Sequence, residues 1–361
     1  MAAYEKKFDA SGDMAEKIAK YYRGLFPDRE DLSISGLEDI TAGWEAELYS
    51  FVVEHEEEGR RVREERVIRP YLGDLASQKA LSEFKVISRL FEAGYPVPEV
   101  FHLETDASAL GGPFIVMERV RGRNMSEAFV GASEEEARAL MEMFTRIWVD
   151  LHNLDGAELF PDEFPRGDTQ DYLDDLFKLA KLRIEEAGVG WLQPVIDWIE
   201  ENRAAITPEG LCIIHWDFHT ENVMLREDGS PVVLDWTAAM PGDYRSDLAW
   251  TMLLMSTFND PALRDTILHA YEEISGKEVK DIEFFEVLAI GRRLMDVSVS
   301  FAVGAEQLGM RAGAVEMMSR SSDHLHRVYE LLNERTGLRL TEFEEILDSL
   351  RTRARNEKEK R

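Results

Sequence analysis

Cysteine is nearly missing from this chain: Cys212 is the only one among 361 residues. No disulfide can close within one chain and no thiolate metal cluster can assemble from it, which points to a reducing compartment. Long apolar runs are missing as well. No stretch approaches the roughly 18 apolar residues of a membrane span, and the start, MAAYEKKFDASGDMAEKIAKYY, lacks the apolar core of a signal peptide, so a cytoplasmic protein is expected. Positive charge is scarce. With 42 Lys and Arg against 71 Asp and Glu, the net charge of -29 argues against nucleic acid or an anionic membrane as partner. The excess of acid is compatible with cationic small molecules, yet it serves equally to keep a protein soluble, so it names no ligand.

What is present describes a folded, enzyme-sized object. Hydrophobic residues make up 44% of the chain, too many for a disordered one. Single cores stop growing before this length, so two lobes with a cleft are expected. After a short amphipathic helix (Met14 to Phe26), the segment from Ile34 to Val120 reads as strands broken by turns, with one helix inside it. ELYSFVVEH and RRVREERVIRPY alternate apolar and polar residues and are joined by the polar EEEG, the pattern of an antiparallel hairpin. The embedded helix starts near Ser77 and ends at AGYPVP, with Ala80, Phe84, Ile87 and Phe91 at helical spacing toward the sheet. Glu83 borders that stripe and either sits at the solvent margin or pairs with a cation. GGPFIVMERV supplies a further strand. From Ser126 onward the periodicity is helical: Ser133 and Glu136 have capping-box spacing, and Leu140, Met141, Phe144, Ile147, Trp148 and Leu151 share a face. The fold class is therefore α+β and bilobal. It divides into an N-terminal helical extension (1–33), a small antiparallel β lobe with one helix (34–120), a linker (121–126) and a larger, mainly helical lobe (127–361).

Ionisable groups concentrate in one place, CIIHWDFHTENVMLREDGSPVVLDW, beside the most strand-like segments. Burying charge there is costly without partners. If the segment is a strand, His215, Asp217 and His219 at i, i+2 and i+4 share one face and suggest a metal-dependent hydrolase. The following TEN breaks a strand, however, and no second His/Asp cluster completes such a site. If the segment is a loop, a different spacing emerges: Asp217, then Asn222 five residues on, then a hairpin turning at Asp228 and Gly229, then Asp235 after the buried VVL. H-x-D-x4-N followed by a hairpin and a second Asp is the catalytic-loop spacing of kinases. Phosphoryl transfer asks a protein mainly to align the acceptor hydroxyl and neutralise phosphate charge. Asp217 can accept the hydroxyl proton, while the hard oxygens of Asn222 and Asp235 suit Mg²⁺. His215 is read as a brace for the loop, His219 and Glu221 as orienting it, and Trp216, Phe218 and Trp236 as packing residues.

HWDFHTENVML, VVLDWTAAMPGDYRSDLAW and VIRP…LSEFKVISRLFEAGYPVPEV…GGPFIVMERVRGRNM together resemble the aminoglycoside phosphotransferase and choline kinase-like family, which has the protein-kinase-like fold. The likeness runs from about Ile40 to Leu254. It implies a catalytic role for Asp217, magnesium ligation by Asn222 and Asp235, and an Asp247 that braces the catalytic loop. It further implies that FIVMERV is the last small-lobe strand and hinge, with Met117 as gate residue and the backbone of Glu118 and Val120 meeting adenine. Several positions depart from the family pattern: Trp216 stands where the family has glycine after the catalytic-loop His, and Thr220 and Glu221 where it has Pro-Gly before the Asn. Arg69 replaces the phosphate-binding lysine, paired by analogy with Glu83, and arginine keeps its charge and can grip phosphate with two donors. The nucleotide loop TAGWEAELY holds only Gly43.

The function expected is an ATP- and Mg²⁺-dependent phosphotransferase acting on a hydroxyl of a small molecule, with aminoglycosides, choline-like amines, sugars and amino alcohols as acceptor classes. Asp171, Asp174 and Asp175 in DYLDDLFKLAK are either cation partners for such an acceptor or a solvated helix face. A protein kinase is disfavoured by the short segment between Asp235 and Asp247, after which no APE follows. The reading from a different class is a nucleotide-binding pseudokinase or regulatory module, suggested by Arg69 and the glycine-poor loop.

Overall fold

The computed structural model describes residues 12–41, 47–73, 75–162, 164–304 and 322–359. It separates into two compact units, one built on the chain up to Gly122 together with Arg226–Thr237, the other on Arg123–Leu225 and the described residues from Ala238 onward. The second half of the central hairpin therefore packs with the first unit, whereas contiguity along the sequence assigns it to the larger lobe.

The first unit is an antiparallel sheet of order β1-β2-β3-β5-β4, from β1 (Ser33–Asp39), β2 (Tyr49–Glu57), β3 (Arg60–Pro70), β4 (Val100–Glu104) and β5 (Phe114–Glu118). The expected hairpin is β2–β3, turning at Glu58 and Gly59, both in the left-handed region with φ of 51° and 75°. Because side chains alternate across a strand, register decides which residues meet. Ile68 pairs with Val116, and both join Phe51, Val53 and Phe114 in a core with Met14, Ile18 and Tyr22 of helix α1 (Gly12–Leu25). Each such apolar side chain contributes about 1.5–3 kcal/mol by leaving water. Arg69, paired with Ile115, and Val67, paired with Met117, then face the other way.

Helix α2 (Ala76–Glu92) buries Ala76, Ala80, Glu83, Ile87 and Leu90. The buried face lies about a quarter turn from the expected stripe: Phe91 is exposed, and Glu83, for which the spacing leaves both the solvent margin and a cation pair open, lies at its centre with 1% exposure. A carboxylate can occupy that position because a guanidinium, a phenol and a backbone N–H meet it.

The second unit is mainly helical. Helix α4 (Glu134–His152) begins with the expected Ser133–Glu136 capping box and buries Phe144, Ile147, Trp148 and Leu151. Short strands β7 (Cys212–Ile214) and β10 (Met240–Gly242) pair antiparallel, with Cys212 opposite Gly242. A Cβ on Gly242 would stand 2.5 Å from Ile214 Cδ1, so any larger residue there would have to displace the buried Ile214 side chain. Helix α8 (Tyr244–Phe258) follows and is buried on nearly every side, as its lack of a polar face requires. It starts from a lock fully inside the unit: Arg245 pairs with Asp243 at 2.7 Å, donates to the Thr207 carbonyl, and lies over the Phe285 ring. Helices α6 (Thr169–Ala187), α9 (Leu263–Ser275) and α10 (Ile282–Val303) belong to the same unit. Among the described residues no helix is long and apolar enough to cross a membrane.

Candidate active site

The candidate residues fall into two groups, one in each unit. In the first unit, Arg69 at the end of β3 is held between two carboxylates. Its Nη2 donates to Asp235 Oδ1 at 3.0 Å, and its Nε lies 3.3 Å from Glu83 Oε2, an ion pair without hydrogen-bond alignment. Glu83 also accepts the Tyr71 hydroxyl and, at 3.2 Å, the Trp236 backbone N–H. Burial pushes the Glu83 carboxyl above its ordinary value against the pull of Arg69, and the same burial raises the Tyr71 phenol. The Arg69 guanidinium is raised despite its burial by Asp235 and Glu83, so it stays charged. Asp235 accepts the Thr237 hydroxyl at 2.6 Å and adopts φ of 61°, a left-handed conformation that costs a non-glycine residue energy and is concentrated at functional sites. The pairing of Arg69 with Glu83 that the resemblance implies is thus present, and Asp235 joins it.

Met117 and Glu118 close β5 on the same sheet. Met117 is buried on the Arg69 side, and the Glu118 N–H donates to the Glu99 carbonyl at 2.8 Å, so a hinge contact from Glu118 has to come from its carbonyl. The Glu118 carboxylate takes both arms of Arg226, which ties the hairpin to the sheet. Val120 lies just beyond and is half-buried. Gly43 lies outside the described residues.

In the second unit, β7 ends at Ile214 and the chain enters a loop, so His215, Asp217 and His219 do not share a strand face. That removes the geometric basis of the hydrolase reading. The loop is hung on Asp247, fully buried in the first turn of α8: its Oδ2 accepts the His215 N–H at 3.0 Å and its Oδ1 the Trp216 N–H at 2.7 Å. Trp148 Nε1 and His152 Nε2 complete the carboxylate at 3.0 and 3.1 Å. Burial opposes its charge, but the bonds and charge of His152, with His215 and Trp148, outweigh it and hold Asp247 below the usual carboxylate range. Phe218 packs into the core against Trp148, with rings 5.0 Å apart and 8° from parallel. Trp216 has φ of 58°, left-handed like Asp235.

Asp217 emerges between these anchors. Its Oδ1 accepts the Trp250 indole N–H at 2.9 Å, and its own N–H donates to His215 Nδ1 at 3.2 Å, which confirms His215 as a brace. Burial is again outweighed, here by His219, Trp250 and Arg292, so the Asp217 carboxyl is held well below its ordinary value and is ionised at neutral pH. Asn222 Nδ2 donates to the Asp217 carbonyl at 2.9 Å, so the amide nitrogen is the atom that ties the loop. His219 Nε2 lies 3.2 Å from Asn222 Nδ2 and 3.6 Å from Asp217 Oδ2, an orienting position. The acidic residues of α6 are engaged in structure: Asp171 caps the helix, Asp174 pairs with Arg203 at 2.5 Å, and Asp175 is exposed beside Lys178.

Sequence reasoning did not find Tyr71, Thr237, Trp250 or Arg292. Trp250 follows Asp247 by three residues, the interval that puts two side chains on one helix face, and that was the one signal available for it. Arg292 is 75 residues from Asp217 and carries no local mark.

The profile of the phosphotransferase enzyme family (APH) matches residues 36–282. Among solved structures, a protein assigned as an aminoglycoside phosphotransferase from Ralstonia eutropha JMP134 superposes with a TM-score of 0.62 at 17% identity, covering 91% of this chain and 99% of the other. A thermostable mutant of aminoglycoside phosphotransferase APH(4)-Ia, in ternary complex with ADP and hygromycin B, superposes with a TM-score of 0.53 at 16% identity, covering 89% of this chain and all of the other. These show the protein-kinase-like fold. Acyl-CoA dehydrogenase family member 11 of Gallus gallus is 27% identical over 179 residues, 48% of this chain and 23% of that protein. This chain spans about a fifth of the length of the curated relatives it matches. With more than half of its residues inside the family profile and the fold to match, the chain belongs to the phosphotransferase enzyme family.

Proposed function

We propose that the protein transfers the γ-phosphoryl group of ATP to a hydroxyl of a small molecule, with Asp217 as the residue that receives the acceptor hydroxyl. One observation carries this: an ionised Asp217 carboxylate aimed by the Trp250 indole, on a loop hung from Asp247 and tied internally by Asn222. A carboxylate with so low a pKa is a weak base. That suits phosphoryl transfer, whose loose transition state needs the hydroxyl held in line more than deprotonated early. Asp217 accepts the hydroxyl hydrogen bond, orients the oxygen and takes its proton late.

Asn222 in the second unit and Asp235 in the first each offer a hard oxygen of the kind Mg²⁺ prefers, and would be its ligands; the bond from Asn222 Nδ2 leaves the amide oxygen out of the tie to the loop. When bound, the ion would neutralise charge on the phosphates. Arg69, charged and held by Glu83, would meet the phosphates, and the Glu118 carbonyl and Val120 backbone would meet the base beside Met117.

The position of Asp235 on Arg69 favours one other reading, a module that binds nucleotide without turning it over. Coupled ADP release with Mg²⁺ present, across amines, sugars, hydroxy acids and antibiotics, separates the two. Asp217→Ala should remove acceptor-dependent ADP release by several powers of ten while nucleotide still binds. Turnover that persists in that variant would refute the role given to Asp217.

A further inference from the structure

Arg292, on α10, places a cation beside Asp217, where a kinase for aminoglycosides or choline-like amines needs anions. Its guanidinium carbon lies 3.8 Å from the ring centroid of Trp250 and 4.5 Å from that of Trp216. These are the indole that aims Asp217 and the aromatic just before it in the chain. Stacking of this kind uses the face of the guanidinium and leaves its in-plane N–H groups for other partners. Among the described residues one hydrogen bond engages them, from Nη1 to the Trp216 carbonyl. The nearest carboxylate, Asp296, is 3.7 Å from Nε and closer, at 3.1 Å, to Arg183, so one anion serves two cations. Arg292 is also one of the charges that hold Asp217 ionised.

Of the three α6 carboxylates named as cation partners, Asp175 is exposed beside Lys178 and the other two have structural work. Asp174 pairs with Arg203 and Asp171 closes the capping box of α6. The net charge of -29 does not reverse this, because charges beyond roughly 8 Å are screened at physiological salt and Arg292 is local.

We propose that the acceptor is a hydroxy compound bearing a carboxylate, which Arg292 binds while Asp217 takes the hydroxyl. This rests on the phosphotransferase reading above and narrows it. Trp216 and Trp250 hold the guanidinium flat, so its N–H edge meets a planar carboxylate with little entropy left to lose. An ammonium in the same place would face a like charge.

The test uses matched acceptors that differ only in charge: 3-hydroxypropionate, 1,3-propanediol and 3-aminopropan-1-ol, with their homologues to six carbons, in the ADP-release assay. The hydroxy acid of the best length should exceed the amino alcohol of that length in kcat/KM. Arg292→Gln should lower that ratio about 10- to 100-fold, the range of one lost charge-assisted hydrogen bond, mainly through KM. Arg292→Lys, which keeps the charge, should retain part of it. An amino alcohol or an aminoglycoside preferred by the wild type overturns the proposal. So does an Arg292→Gln variant in which kcat falls equally for all three charges, since Arg292 would then only hold the Trp216 loop. Titration of tryptophan fluorescence with the same hydroxy acids provides a readout independent of turnover. Saturable quenching lost in Arg292→Gln is expected, and no saturable quenching in the wild type overturns the carboxylate site. Asp217→Asn keeps the two failures apart: if it still turns over, the catalytic reading fails, whereas quenching there reports on Arg292 alone.

Discussion

Replacing Asp247 by Asn, with no change of shape, should release the loop that carries Asp217. The carboxylate has two oxygens and accepts four N–H groups with no water available, its exposure being 0%. Asparagine substitutes a donor for one of those oxygens. If the NH₂ takes the place of Oδ1, the Trp216 N–H at 2.7 Å faces a donor; if it takes the place of Oδ2, His215 N–H, Trp148 and His152 all do. Either way at least one loop amide is buried without an acceptor. A lost bond to a charged group costs about 1.5–3 kcal/mol and the stranded donor a similar amount, for a total of about 3–5 kcal/mol. The readout is amide hydrogen exchange. Exchange at Trp216 or His215 should accelerate by roughly two powers of ten or more, each tenfold being about 1.4 kcal/mol. Denaturant unfolding of the second unit should shift with it. The pH dependence has a definite sign. Because the folded pKa of Asp247 is depressed, its stabilisation is present above the unfolded-chain value of about 3.9 and is lost as pH falls through the folded value. The variant should therefore lose less stability on acidification than the wild type. Unchanged exchange at both amides, together with a stability loss under about 1 kcal/mol, would refute the assignment of Asp247 as the anchor of this loop.

Two further predictions concern packing and buried charge. Glu83→Gln leaves Arg69 with Asp235 alone and should cost about 3 kcal/mol, the lower end for a buried pair that loses a partner, measured by urea denaturation; Glu83→Gln with Arg69→Met should recover most of it. No loss in the single variant would show that the pair adds nothing to stability. Gly242→Ala drives a methyl group to 2.5 Å from Ile214 Cδ1 and 3.1 Å from Tyr172 and should lower stability by about 1–3 kcal/mol in thermal unfolding. Ile214→Val in the same chain should relieve part of that, and additive losses would mean that the clash is not the cause.

The charged pair under the small sheet marks where a one-dimensional reading stops. Helical spacing places Glu83 on α2, but whether it lies at the margin or the centre of the buried face depends on what packs there. The alternation of β3 orients Arg69 toward that face, and the centre became tenable for Glu83 once the guanidinium, the Tyr71 hydroxyl and the Trp236 N–H were in place. The loop shows the same division. Its spacing from Asp217 to Asn222 is visible in the chain because the two are local and bonded to each other. Trp250 and Arg292 are not visible, since they reach Asp217 from helices that only the packing of the larger unit brings alongside.

Local order was therefore determined by the sequence itself: the β2–β3 hairpin through its two-residue period and polar turn, α4 through its capping box, and the kinase-like loop through the interval from Asp217 to Asn222. These depend on interactions within a few residues, whose geometry the backbone sets. Tertiary structure alone decided which charges are tolerated and what they do. It made Glu83 a buried partner, Asp247 a four-bond anchor and Arg292 a cation beside Asp217, because the cost of burying a charge is set by neighbours that are distant in sequence.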